Sequence, residues 1–83
     1  MTKTSEYLQK FFEEKDLGIK LYEIEHNGET HFIGSDQVIE LIMQAPESEK
    51  KVIADTIRMI DFKNGDIHHY LKFLAEAYIK QNY

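Results

Sequence analysis

The sequence predicts an α+β fold, mostly helical: a helix, a β-hairpin and then three helices in a single small domain spanning residues 1–83. Three observations carry this reading. Apolar residues recur at helical spacing in four separate stretches, the period that puts one stripe of a helix against a core. Between the first and second of these stretches lie two runs rich in β-formers, Ile19–Glu25 and Thr30–Ile33, separated by His26-Asn27-Gly28-Glu29. Isolated Gly, Pro and Asn residues mark each boundary, and no repeat, linker or low-complexity segment interrupts the order.

The first helix is predicted over residues 4–16, with Thr4 or Ser5 as its cap and Gly18 as its stop. Tyr7, Leu8, Phe11 and Phe12 form its apolar face, and Glu6 and Lys10 stand in the favourable i,i+4 order. The hairpin is predicted over residues 19–33, because Asn-Gly between β-rich runs is a strong hairpin signal. Two registers fit it. A two-residue turn pairs Tyr22 with Ile33 and Ile24 with His31. A three-residue turn with Gly28 left-handed pairs Tyr22 with Phe32 and Glu23 with His31. The second is preferred, since it gathers Tyr22, Ile24 and Phe32 on one face and sets a carboxylate opposite an imidazole on the other.

Ser35 is the expected cap of a second helix over 35–45, with Asp36 near its positive end. Its apolar residues run nearly all round, which predicts thorough burial. Pro46 suits the first turn of a third helix over 46–60, whose stripe is Val52, Ile53, Thr56, Ile57 and Ile60. Asn64 or Asp66 caps a last helix over 65–80. That helix carries two stripes: Ile67, Leu71, Leu74 and Tyr78, and then Tyr70, Phe73 and Ala77 about 100° away. Either the helix is central and buried on both sides, or Tyr70 and Phe73 belong to an interface.

Composition excludes several functions. The 83 residues include no Cys, so there is no disulfide framework, thiolate metal site or cysteine nucleophile. Small secreted domains usually need such staples, and the first residues lack the pattern of a signal peptide, so a cytoplasmic location is expected. No apolar run approaches the ~18 residues of a membrane span. Ten aromatic residues, five Phe and five Tyr, mark a chain with a core and not a disordered acidic tail. The net charge of −5 lies wholly in residues 1–45, which carry four Lys and nine acids. Such a half repels phosphate and suits a basic protein surface, although a charge of this size also serves solubility.

Few motifs carry chemistry. There is no Gly-rich phosphate loop and no hydrolase or zinc-protease pattern. His68 and His69 are helical neighbours pointing about 100° apart, so they do not share a metal, whereas Asp66 and His69 have the spacing of a simple contact. Glu23, Glu25, His26, Glu29 and His31 cluster on the hairpin. An exposed hairpin rarely supplies the water-excluding cleft that catalysis needs, and its charges serve to discourage edge-to-edge pairing. The second and third helices resemble a helix-turn-helix in order, with Lys50, Lys51 and Arg58 on the later one. The acids at 47, 49 and 55 offset them through the pairs Glu47–Lys51 and Lys51–Asp55. The expectation is therefore a non-enzymatic protein-interaction or regulatory module with no cofactor and no metal. Its partner is another protein or a second copy of the chain, bound through Tyr70 and Phe73 or through Glu23, Glu25 and Glu29. A nucleic-acid regulator using the C-terminal helices is the alternative.

Overall fold

The computed structural model describes residues 2–82. Its elements run α1 (Lys3–Glu14), β1 (Leu21–His26), β2 (Glu29–Gly34), α2 (Ser35–Gln44), α3 (Glu47–Phe62) and α4 (Ile67–Asn82). This is the predicted order. Among the described residues no helix is long and apolar enough to cross a membrane.

Helix α1 starts earlier than expected. Its cap is Thr2, whose Oγ1 accepts from the Ser5 amide at 3.1 Å. Ser5 is instead buried in the contact with α3, where its hydroxyl donates to Glu47 Oε1 at 3.1 Å and accepts from Lys50 Nζ at 2.7 Å. At the other end Lys15 Nζ meets Asp61 Oδ1 at 2.7 Å. The two helices therefore lie side by side and parallel. The last turn of α1 closes through Lys15 N donating to Phe11 O, and Gly18, at φ 67, belongs to the linker beyond it. Lys10 pairs with Glu14, not with Glu6.

The hairpin corrects the preferred register. Asn27 and Gly28 both adopt positive φ, 53 and 77, as a type I′ two-residue turn requires. Tyr22 therefore faces Ile33, Glu23 faces Phe32 and Ile24 faces His31. A one-residue slip exchanges the faces of a strand. Here it sends Ile33 inward and leaves Phe32 on the outside, 61% exposed.

Gly34, not Ser35, occupies the cap of α2, and its amide donates to Gln37 Oε1 at 2.9 Å. Ser35 is the first helical residue and is fully buried. Its Oγ accepts from Lys20 N, and its own amide donates to Lys20 O, which locks the helix start to the entry of β1. Helix α2 is one-sided: Val38 and Ile42 are buried while Leu41 reaches solvent. Helix α3 begins one residue after Pro46 and buries Ile53, Ala54 and Ile57, with Val52 turned out at 64% exposure. It ends with Asn64 left-handed at φ 55. Gly65 N then donates to Ile60 O, and Asn64 N to Asp61 O. That pair of bonds is the Schellman arrangement, with Asn in the position glycine usually fills.

Asp66 caps α4 by accepting from His68 N at 3.0 Å. The buried stripe of α4 is Ile67, Leu71, Ala75 and Ile79, with Leu74 and Tyr78 half-buried beside it. Through this stripe α4 packs on β1, α2 and α3. The core of Leu8, Tyr22, Ile24, Ile33, Val38 and Ile42 completes the space between hairpin and helices.

Candidate protein-docking site

A spacing of four residues in Ile67, Leu71, Ala75 and Ile79 fixes how α4 is rotated. Tyr70, Phe73 and Ala77 then fall on the side facing α3, above the line where the two helices meet. The opposite wall is built by Ile53, Val52 and Ile60 of α3. The helices splay enough to leave two adjoining open clefts of about 510 and 540 Å³, and Tyr70 and Phe73 line both. Their rings stack at 6.3 Å and 13°. Tyr70 is half-buried, with its hydroxyl toward Thr56; burial raises its pKa and the Thr56 hydroxyl opposes that rise. Phe73 is 62% exposed, so α4 is central on one side only. Lys63 and Asp66 bound one end of the groove, Glu49 and Gln81 the other.

The other expected partner-binding residues lie elsewhere. Glu23, Glu25 and Glu29 are exposed on the hairpin and line neither cleft. Glu25 accepts from Thr30 Oγ1 at 2.6 Å, and Glu29 stands 3.8 Å from His31 Nε2. The slipped register removes the expected pairing of Glu23 with His31 and puts Phe32 opposite Glu23 instead. The two groups of expected partner-binding residues therefore lie on separate surfaces.

The adjacent histidines separate in role. His68 is a bridge: its Nε2 donates to Leu17 O at 2.8 Å, which leaves Nδ1 to accept from the Tyr22 hydroxyl at 2.7 Å. This joins α4, β1 and the linker after α1. Burial, with Asp66 adding to it, pushes the Tyr22 pKa up to about 12. His69 is exposed at the groove's rim. Asp66 bonds the His68 amide, not the His69 ring. Among the described residues no group of three or more His, Asp or Glu is placed to hold a metal ion.

The basic residues of α3 are largely engaged within the chain. Lys50 reaches Glu47 at 3.0 Å, in place of the expected Glu47–Lys51 pair, and Arg58 reaches Asp55 at 3.1 Å while lying 4.1 Å from the centre of the Tyr7 ring. What sequence reasoning missed is Val52, assigned to the buried stripe and found on the groove wall. The available signal was surplus: Val52 beside Ile53 and Met59 beside Ile60 exceed what one stripe accommodates. No family model, curated protein or solved structure matches the chain.

Proposed function

We propose that this chain is a non-enzymatic protein-interaction module that seats an apolar segment of a partner protein in the groove between α3 and α4. The observation that carries the reading is the stacked Tyr70–Phe73 pair on the wall of an open apolar groove, with Phe73 62% exposed. Keeping such surface in water is unfavourable by about 25 cal/mol per Å², and aromatic side chains in a desolvated pocket are the typical anchors of an interface. The mixed charges at its two ends form a polar rim. The engagement of Lys50 and Arg58 within the fold lends no support to the nucleic-acid alternative.

Phe73→Glu tests the proposal. The variant keeps the circular dichroism and melting behaviour of the parent, because residue 73 contributes little to the core. Proteins retained by the immobilised parent chain are lost from the variant, and sedimentation of the parent shows whether a second copy is the occupant. A partner retained equally by both proteins defeats the assignment of the groove.

A further inference from the structure

We propose that the outward face of the β1–β2 hairpin is a separate docking surface, for a cationic amphipathic segment of a partner protein. A two-stranded sheet has one face to bury, and here Tyr22, Ile24 and Ile33 bury it against the helices. The other face carries Leu21, Glu23 and Glu25 on β1, with Thr30 and Phe32 across from the two glutamates. Leu21 is 65% exposed and Phe32 61%, with Ile19 at 80% just before the strand. Apolar and acidic groups thus alternate within one small area.

Charge selects the occupant. The outward face of the two strands carries two glutamates, Glu23 and Glu25, and neither Lys nor Arg. Among the described residues neither Glu23 nor Glu25 enters an ion pair, and Glu25 is held in place by the Thr30 hydroxyl. A second copy laid face to face would set carboxylate against carboxylate, and phosphate-bearing polymers or anionic lipids meet the same repulsion. A segment with Lys or Arg beside an aromatic or aliphatic residue satisfies both features at once, since Arg also stacks on an aromatic face. Lys20 and Lys72 border the crevice at the start of β1. The cations of the segment therefore lie toward Glu25, at the end of the face away from these lysines, and its apolar residue lies on Phe32 and Leu21.

This surface is distinct from the α3–α4 groove, and the experiment separates the two. A random peptide display library is panned on the parent chain, and the enriched peptides are titrated against parent, Glu23→Gln/Glu25→Gln, Phe32→Thr and Phe73→Glu. The expected result is enrichment of peptides combining Lys or Arg with an aromatic or aliphatic residue. Their binding weakens about tenfold in each hairpin variant and at raised salt, and is unchanged in Phe73→Glu. All of these positions are exposed and Thr favours strands, so the variants keep the fold. Amide shifts of the parent on adding an enriched peptide give a second readout, concentrated between residues 21 and 32. Failure to enrich cationic peptides, equal binding to the hairpin variants, or shifts confined to α3 and α4 would overturn the proposal.

Discussion

At position 28 an added Cβ meets nothing within 4 Å, yet the backbone angle of 77° is one that side chains rarely adopt. The cost of replacing Gly28 is therefore conformational and not steric. Gly28→Val is expected to lower stability by ~1–3 kcal/mol, read as a fall in melting temperature; an unchanged midpoint would mean the turn has another form. The Tyr22–His68 bond offers a second test at this scale. Removing either partner leaves the other without its half-buried hydrogen bond, at a cost of ~1–3 kcal/mol. Tyr22→Phe combined with His68→Ala should cost less than the two single changes added together. The same tyrosine sets an alkaline limit. Its hydroxyl ionises near pH 10 in the unfolded chain and at about 12 in the fold. Its contribution is whole below pH 10 and drains away as the pH rises from 10 to 12. Urea unfolding at pH 9 and 11 should show this fall, and Tyr22→Phe should lessen it.

The elements depend on their ends. Thr2, Asn64 and Asp66 each satisfy backbone groups that a helix terminus leaves open. The start of α3 does more, because Glu47 accepts from the Thr2 and Ser5 hydroxyls and pairs with Lys50. The Lys50 ammonium first, then the Thr2 hydroxyl, hold the Glu47 carboxyl below its ordinary pKa. The sign follows directly: a carboxyl lowered in the fold stabilises it above the unfolded pKa, and this is lost as the pH falls below that value. Glu47→Gln should therefore be less stable than the parent at pH 7, with the gap closing below about pH 4. A gap that stays constant with pH would show that the carboxylate charge does not hold α1 to α3. None of this tie is visible locally, for residues 2 and 47 are brought together only by the parallel packing of the two helices.

Over the whole molecule, α4 is where the buried core and the exposed groove divide. Leu71 is fully buried and Phe73, two residues on, is 62% exposed. Leu71→Ala should cost ~2–5 kcal/mol, a large part of the ~5–15 kcal/mol that holds a domain of this kind, and the melting temperature should drop accordingly. Phe73→Ala on the same helix should leave the melt within about 0.5 kcal/mol of the parent. Equal losses would mean that the groove is part of the core.

Element order, the position of the hairpin and the aromatic surplus of α4 follow from local information. Helical spacing, an Asn-Gly turn and a cap each act over a few residues, so the chain states them in place. The register of the hairpin is different. Both turns are allowed by His26-Asn27-Gly28-Glu29, and the choice between burying Ile33 and burying Phe32 belongs to the tertiary packing of the sheet's inner face. The same holds for the rotation of α3, which places Val52 in the groove, and for Tyr70 and Phe73, whose periodicity suits core and interface alike. A stripe records that a residue is apolar; which neighbour covers it, or whether any does, is set by how the helices splay.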